Sequence, residues 1–199
     1  MHPSPTFHWK DEAAMLAAAG EMGWARLFAM TPNGPRVAHS AVLVDPERRT
    51  LRFHVANANL IVPGLAGARV LALFEGPHAY VSASWYPDPA VNVPTWNYVA
   101  IECEGPVVAL GQEALVDLLD DLAGAHEAAA GEGWSRSMME PRRFEAMLGA
   151  ITAYELSIEA IRGTRKLSQN KSAADVAVLA EGVERSGAAE LAQLMRAAT

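Results

Sequence analysis

The residues best suited to binding chemistry lie in one aromatic stretch, GPHAYVSASWYPDPAVNVPTWNY, from Gly76 to Tyr98. Its prolines restrict the backbone of the predicted loop, and its large flat side chains suit a wall for a flat ligand. Ser82 and Ser84 stand beside Trp85, where a hydroxyl can donate to a ligand carbonyl or phosphate. Two interpretations stay open: a ligand wall, or a rigid loop with buried aromatics and serines that bond the neighbouring backbone.

A second stretch, GTRKLSQNKS from Gly163 to Ser172, combines cations with amides and hydroxyls. It follows a predicted strand and precedes a predicted helix, so helix N–H groups and the cations Arg165, Lys166 and Lys171 converge there. That arrangement suits an anion such as a phosphate, and the alternative is a solvated basic turn.

A third stretch, HVANAN from His54 to Asn59, ends a predicted strand with two amides and little bulk. Such a strand end lets a ligand approach the backbone closely. The alternative is an ordinary strand end rich in asparagine.

Several kinds of catalytic and metal site lack support in the sequence. The six histidines are scattered and only one cysteine is available, so a metal site needs long-range assembly. No nucleophile elbow, Walker loop or dinucleotide-binding glycine motif occurs. Cys103 shares a strand face with Val99 and Ile101, which indicates a buried apolar thiol rather than a nucleophile.

The chain has 199 residues and the composition of an ordinary globular protein. Its formal net charge is −7. No Lys or Arg occurs between Arg69 and Arg136, so an anion near the aromatic stretch needs cations from the flanking thirds. The acidity makes direct DNA binding doubtful. Without a signal peptide or membrane-spanning apolar run, and with a single cysteine, we expect a cytoplasmic location and no membrane association.

The elements that must position these stretches are mostly short strands. Periodicity predicts strands at 24–30, 36–44, 50–57, 70–74, 98–110 and 154–161 and helices at 10–22, 112–130, 141–149, 172–185 and 188–198. The continuously apolar segment at 70–74 predicts burial on both faces of its strand. Short hairpins with a late returning strand predict a closed or nearly closed barrel, so the fold class is mainly β with flanking helices (α+β).

Long motifs in all three stretches resemble one known family. GPHAYVSASWYP followed by VPTWNYVA is similar to the signature of the PaiB-like family, the FMN-binding negative transcriptional regulators. These proteins resemble the wider FMN-binding split barrels that include the pyridoxamine phosphate oxidases. VAHSAVLVD, HVANAN and GTRKLSQNK resemble further elements of the family, and the resemblance covers roughly residues 3 to 185.

The resemblance implies an antiparallel FMN-binding split β-barrel that forms a homodimer, with FMN in a cleft at the dimer interface. Residues 1–170 are then the barrel domain with inserted helices at 112–149, and residues 171–199 a helical extension packed on the barrel or the partner subunit. With the three stretches above, it implies cofactor contacts from His39, Ser40, His54, Ala56, Asn57, Asn59, Ser82, Ser84, Trp85, Tyr86, Trp96, Asn97, Lys166 and Gln169.

One departure from the family pattern concerns the phosphate. The family commonly has Arg in an A-R-A-N element where this chain has Asn57. Losing that cation removes a charge-assisted hydrogen bond of about 1–3 kcal/mol. FMN affinity is then weakened, or Arg52 or Arg36 compensates.

Two functions follow from the resemblance and the residues. The first is an FMN-binding homodimer of the PaiB-like negative transcriptional regulator family that acts on gene expression indirectly. The alternative is an FMN-dependent oxidoreductase or flavin reductase with an unknown small-molecule substrate, since the flavin itself carries the hydride chemistry. Direct sequence-specific DNA binding is the weakest hypothesis, because no helix-turn-helix is legible and the charge is unfavourable.

Overall fold

The computed structural model describes residues 2–131 and 133–198, and within them the chain forms five α-helices and eight β-strands. The helices are α1 Glu12–Met22, α2 Gln112–Ala130, α3 Pro141–Leu148, α4 Ala173–Arg185 and α5 Ala189–Ala197. The strands are β1 His8–Trp9, β2 Trp24–Thr31, β3 Gly34–Asp45, β4 Thr50–Ala56, β5 Arg69–Val81, β6 Thr95–Ala109, β7 Ile151–Ser157 and β8 Ala160–Lys166. All five helices lie close to their predicted bounds.

The strands pair in the order β1-β8-β6-β5-β2-β3-β4-β7, and β6 also pairs with β7. This additional antiparallel pairing joins residues 107–109 of β6 to residues 154–156 of β7. It closes β6, β5, β2, β3, β4 and β7 into a ring, which satisfies the backbone groups that an open sheet leaves unpaired at its edges. The predicted closed antiparallel barrel is therefore confirmed.

The chain divides into two compact units. The barrel unit comprises residues 13–74 and 102–161. The second, here called the terminal unit, comprises the described residues within 2–12, 75–101 and 162–198. The predicted boundary between a barrel domain and an extension at residue 170 stays a prediction.

Strand side chains in the barrel unit alternate between the core and the outer face. Leu51 and Phe53 of β4 are completely buried, as the alternation in that segment predicts. On β5, however, Leu71 and Leu73 are only half-buried, whereas the residues between and beside them are in the core. The prediction that this strand is buried on both faces is wrong, because the strand belongs to an antiparallel barrel with one face on the core.

Helix α2 lies on the outer side of the barrel unit. Its apolar residues Leu115, Leu118 and Leu122 are buried in one cluster with Leu148 of α3 and Ala153 of β7. The spacing of the three leucines places them on one helix face, so the predicted amphipathic helix is confirmed.

The predicted single strand at 154–161 is two strands, because β7 ends at Ser157 and β8 begins at Ala160. Strand β6 passes this break closely. A Cβ atom on Gly105 would lie 1.7 Å from the carbonyl oxygen of Ser157, so only glycine fits there. The backbone N–H of Glu159 donates to the carbonyl of Glu104 at 3.0 Å and fixes the crossing.

The terminal unit contains β1, the adjoining parts of β5, β6 and β8, and the helical hairpin of α4 and α5. Ser172 caps α4 by accepting a hydrogen bond from the backbone N–H of Asp175 at 3.1 Å, as the capping box predicts. Two predicted loops are partly wrong: residues 76–81 continue β5, residues 95–98 belong to β6, and residues 163–166 belong to β8. Proline is tolerated at the ends of strands, and the side chains of these segments alternate as in a strand. The loop interpretation gave these two features too little weight.

Candidate functional site

An exposed group of three aromatic rings lies on β5 and β6 of the terminal unit. Tyr80 and Trp96 are each 49% exposed, with ring centroids 6.3 Å apart. His78 lies two residues before Tyr80 on the same strand, and its ring centroid is 5.8 Å from that of Trp96. These three residues are called the ring face. It presents flat, accessible π surface, which is what a planar ligand needs.

Hydrogen bonds hold Trp96 in this position. Its indole Nε1–H donates to Nδ1 of His78 at 3.3 Å. Lys166 donates from Nζ to the carbonyl of Trp96 at 3.0 Å and to the hydroxyl of Thr95. Burial lowers the pKa of the Lys166 ammonium from its usual value. Lys166 thus anchors the strand that carries Trp96.

Asn97 is fully buried beside Trp96. Its Nδ2 donates to the hydroxyl of Ser168 at 2.8 Å and lies 3.5 Å from the sulfur of Met195. Its Oδ1 has no hydrogen-bond partner among the described residues. Ser168 has a φ of +64°, an uncommon conformation for a residue other than glycine, so the segment is held in a specific shape. A buried acceptor without a partner is energetically costly, so this oxygen is a candidate to accept a hydrogen bond from a ligand.

Trp85 and Tyr86 have a packing role in the terminal unit. A Cβ atom on Gly182 of α4 would lie 2.4 Å from the Trp85 ring, so the indole rests directly on the helix backbone. Tyr86 is buried, and the ammonium of Lys171 lies 5.1 Å from the centroid of its ring. For these two aromatics, the packing interpretation describes the structure.

The two predicted serines differ in their surroundings. The Ser82 hydroxyl accepts a hydrogen bond from the backbone N–H of Ser84 at 3.2 Å, which is the local turn bond of the alternative interpretation. Ser84 is exposed and is the middle residue of the short helical turn Ala83–Trp85.

The basic stretch ties the terminal unit together. The side chain of Gln169 accepts from the backbone N–H of Leu167 at 2.8 Å and donates to the carbonyls of Arg165 at 2.6 Å and Thr6 at 3.3 Å. The guanidinium of Arg165 lies 4.9 Å from the centroid of the Trp9 ring. Gln169 therefore holds the N-terminal segment against the end of β8.

In the barrel unit, the predicted residues His39 and Ser40 lie on β3 and point to opposite faces. His39 is exposed, and its ring is stacked near that of Trp24 with centroids 6.4 Å apart. Ser40 is buried, and its hydroxyl lies 2.9 Å from the carbonyl oxygens of both Ala41 and His54. Ser40 therefore links β3 to β4.

His54 of β4 has a partly buried ring whose Nδ1 has no hydrogen-bond partner among the described residues. Burial lowers the pKa of the imidazole from its usual value of 6.5, because the charged form loses its hydration. The ring lines a cavity of about 390 Å³ in the barrel unit. A neutral imidazole there has one nitrogen that donates and one that accepts.

In the predicted amide-rich strand end, the side chains of Asn57 and Asn59 form hydrogen bonds within the protein. Asn57 donates from Nδ2 to the carbonyl of Gly149 at 2.9 Å and accepts from the hydroxyl of Thr152 at 2.7 Å. Its side chain therefore joins the end of β4 to the start of β7. Asn59 accepts from the backbone N–H of Ile61 at 3.1 Å, and Ala56 is exposed.

The two arginines expected to compensate for Asn57 are placed differently. Arg52 donates from Nη2 to the carboxylate of Asp121 at 2.8 Å, so its charge is already paired. Arg36 donates from Nη1 to the carbonyl of Pro35 at 2.8 Å, a neutral acceptor. Among the described residues, Arg36 therefore meets only this neutral acceptor and keeps its charge for an anion, whereas Arg52 does not.

The sequence analysis placed His78 and Tyr80 in the aromatic stretch but did not predict either as an individual cofactor residue. Both lie on one face of β5 because they are two positions apart. The period-two pattern was present in PHAYV, but the prolines around it favoured a loop.

In residues 2–131 and 133–198, no group of three or more His, Cys, Asp or Glu side chains is arranged to hold a metal ion. No helix in that part of the chain combines the length and apolar content needed to cross a bilayer.

Comparison with known proteins assigns the family. The family model described as "Putative FMN-binding domain" matches residues 1–160. The chain belongs to this FMN-binding family. FMN is accordingly its cofactor, as the resemblance implied.

A curated relative agrees with this membership. "Protease synthase and sporulation protein PAI 2" from Bacillus subtilis (strain 168) is 33% identical over 129 residues. These are 63% of this chain and 61% of that protein, so the match spans less than two thirds of the relative's length. With the family match, this relative confirms the resemblance to the PaiB-like family.

Solved structures share the fold. The FAD and heme binding protein from Mycobacterium smegmatis has a TM-score of 0.58 at 13% identity, over 80% of this chain and 73% of that one. The flavocytochrome Anf3 from Azotobacter vinelandii has a TM-score of 0.58 at 13% identity, over 83% and 72%. At such identities the likeness concerns the fold alone. The fold is the predicted antiparallel split β-barrel with flanking helices.

Residues of each unit, taken by itself, have chemistry that suits FMN. FMN joins a flat tricyclic ring to a phosphate, so it needs aromatic surface and hydrogen-bond donors. The ring face of the terminal unit supplies exposed aromatic surface. Asn97 nearby has a buried acceptor without a described partner. The barrel unit supplies the cation of Arg36, and none of the predicted residues carries a carboxylate that would repel a phosphate.

Proposed function

We propose that this protein is an FMN-binding homodimer of the PaiB-like negative transcriptional regulator family that acts on gene expression indirectly. The observation that carries the proposal is the family match over residues 1–160, together with the PAI 2 relative. The cytoplasm is the proposed location.

An apolar outer face on the barrel unit supports the homodimer. Trp24, Phe28 and Met30 alternate along β2 and are 55%, 39% and 69% exposed. Val37, directly opposite Phe28 on β3, is also exposed. These four residues are called the β2–β3 face. Contiguous exposed apolar side chains mark interaction sites, and a self-complementary patch is what a two-fold dimer buries.

The charges of the C-terminal hairpin support indirect regulation. Its only basic residues are Arg185 in α4 and Arg196 in α5. Arg185 lies 3.8 Å from Glu181 and Arg196 pairs with Glu184, so both cations face carboxylates. A helix that reads DNA needs cations directed at phosphates, and this hairpin offers none that is unpaired.

The residues proposed to contact the flavin ring are Trp96 and Tyr80 of the terminal unit. Lys166 and Gln169 act by fixing the strands and turns around the ring face. When bound, FMN supplies redox chemistry, namely the transfer of a hydride or of single electrons.

Substitution of Trp96 tests the proposed ring contact. Trp96→Ala removes an aromatic contact, so we expect FMN affinity to fall about three- to tenfold. The measurement is a titration of FMN that follows the quenching of flavin fluorescence. Trp134→Ala is the matched control, since Trp134 is also exposed but lies outside the predicted residues. Equal affinities for the two variants would remove Trp96 from the site.

Indirect regulation has its own test. A gel shift with the FMN-loaded protein at low salt, where electrostatic binding is strongest, is expected to give only weak complexes without sequence preference. A tight complex with one promoter sequence would contradict the indirect mechanism and leave the flavin assignment intact.

A second candidate function is an FMN-dependent oxidoreductase with a small-molecule substrate, because a bound flavin itself carries the hydride chemistry. The test is the oxidation of NADH or NADPH by the FMN-loaded protein, compared with the same concentration of free FMN. A rate above that background supports an enzyme, and equal rates with a range of reductants contradict it.

A further inference from the structure

A cavity of about 390 Å³ lies in the barrel unit, between α2, α3, the segment that joins them and the strands β4 and β7. Its volume falls in the lower part of the range for small-molecule sites. The lining residues are His54, Leu119, Asp120, Trp134, Arg136, Met139, Phe144, Met147, Leu148, Ala150 and Ile151.

Most of this lining is apolar and adaptable. Trp134 and Phe144 contribute aromatic rings, and Met139 and Met147 contribute thioethers. Methionine side chains have several rotatable bonds and contact aromatic rings favourably, so they adjust to ligands of different shape. The wall therefore suits an apolar or aromatic molecule.

The charged residues of the lining neutralise each other. Arg136 binds Asp120 through two hydrogen bonds, Nε to Oδ1 at 3.0 Å and Nη2 to Oδ2 at 2.8 Å. The guanidinium also lies 5.3 Å from the centroid of the Phe144 ring. Because the carboxylate of Asp120 balances its charge, Arg136 offers no excess positive charge to a ligand anion. An ionised ligand would then be buried without a partner, which is costly.

One polar atom of the lining has no partner. Nδ1 of His54 is buried and makes no hydrogen bond to any described residue. Burial also lowers the pKa of the His54 ring, so the neutral form is favoured. A ligand with one hydroxyl or N–H amine group can satisfy this nitrogen in either tautomer of the ring, and a carbonyl group can do so when Nδ1 carries the proton.

We propose that this cavity binds an uncharged aromatic small molecule whose single hydrogen-bonding group pairs with His54. The site is separate from the FMN site. His54 is the only cofactor residue predicted from the sequence that lines the cavity, and no unpaired cation in the described lining could meet the FMN phosphate. The inference does not depend on the regulatory function.

Binding of a neutral probe tests the proposal. N-phenyl-1-naphthylamine is an uncharged aromatic amine whose fluorescence rises in apolar surroundings. We expect saturable enhancement with the FMN-loaded protein. In Ala150→Phe, a phenyl group enters from the exposed lining position and should abolish the enhancement. Ala146→Phe makes the same change four residues earlier on α3, at an exposed position outside the lining, and should leave the enhancement unchanged.

A second pair of probes tests the role of His54. 1-Naphthol has the hydrogen-bonding group that naphthalene lacks, so we expect it to displace the dye at roughly five- to tenfold lower concentration. His54→Leu should remove this preference while naphthalene still competes. That pattern distinguishes a lost hydrogen bond from a collapsed cavity.

Three results would overturn the proposal. The first is an enhancement that does not saturate, and the second is an equal effect of the two phenylalanine variants. The third is loss of the flavin absorbance in Ala150→Phe but not in Ala146→Phe, which would assign the cavity to the cofactor. Retained flavin with lost dye binding supports a separate site.

Discussion

Burial keeps two titratable side chains of the barrel unit uncharged. Cys103 is fully buried, and burial raises the pKa of its thiol to about 12. His54 is shifted in the direction that also favours its neutral form, since its pKa is lowered. Both shifts have the same cause, because a charged group in the protein interior loses its hydration.

Cys103 should be inert to thiol reagents in the folded protein. The reactive species is the thiolate, and a thiol with a pKa near 12 forms very little of it at neutral pH. We expect no modification by iodoacetamide under native conditions and complete modification in denaturant, measured by mass spectrometry. Because the chain has a single cysteine, rapid native labelling would show that the β6 core opens.

Stability should depend on pH through His54. Its folded pKa is lower than the unfolded value near 6.5, so the unfolded state binds more protons as the pH falls through 6.5. The free energy of unfolding should therefore decrease below that pH and level off once the folded imidazole is also protonated. Urea unfolding between about pH 8 and pH 5 measures it.

The variant His54→Gln cannot titrate in this range and should show a flatter profile. The control is His39→Gln, which removes an exposed histidine from the neighbouring strand. If His54→Gln retains the full decrease of the wild-type protein, another group is responsible.

At the scale of elements, the helices show how local signals and distant contacts combine. Ser172 begins α4 with a side-chain cap, a signal carried within four residues of sequence. Gly182 of the same helix contacts the Trp85 ring, which belongs to a distant loop. The start of the helix is thus determined by nearby residues. The need for glycine at position 182, in contrast, is imposed by Trp85, which is far away in the chain.

Gly182→Ala should destabilise the terminal unit. The new methyl group would lie 2.4 Å from the indole of Trp85, so the ring or the helix must move, at a cost of about 1–3 kcal/mol. Thermal and urea unfolding measure the change. Gly124→Ala in α2 is the matched control, since nothing lies within 4 Å of its new methyl group. That variant should be stabilised by about 0.5–1 kcal/mol, the usual gain when Ala replaces Gly in a helix. Similar effects in both would exclude the close contact.

At the scale of the whole molecule, the proposed dimer depends on the β2–β3 face. Met30→Glu places a charge in the most exposed part of that face, where association would bury it without a partner. We expect the dissociation constant of the homodimer to rise by at least about tenfold, measured by analytical ultracentrifugation.

Met138→Glu is the control for this change, because Met138 is as exposed as Met30 but lies outside the face. If Met30→Glu remains as dimeric as this control, the β2–β3 face is not the interface. A monomeric wild-type protein at micromolar concentration would contradict the homodimer itself.

Much of the fold is determined by the sequence by itself. Strand alternation, helix periodicity, the Ser172 cap and the burial of Cys103 follow from short-range patterns, and the structure contains each of them. The long motifs also identified the FMN-binding family. These features are readable because their causes, namely backbone periodicity and side-chain polarity, act within a few residues.

The tertiary structure decided which residues of the aromatic stretch are available to a ligand. Trp85 and Trp96 are the same residue type in the same stretch, yet Trp85 packs on Gly182 whereas Trp96 is half exposed. From the sequence, Asn57 marked the loss of an arginine that would contact the phosphate. In the structure, its side-chain amide instead bonds to both Gly149 and Thr152. Each outcome depends on partners brought close only by the folded chain, so no local pattern could have predicted it.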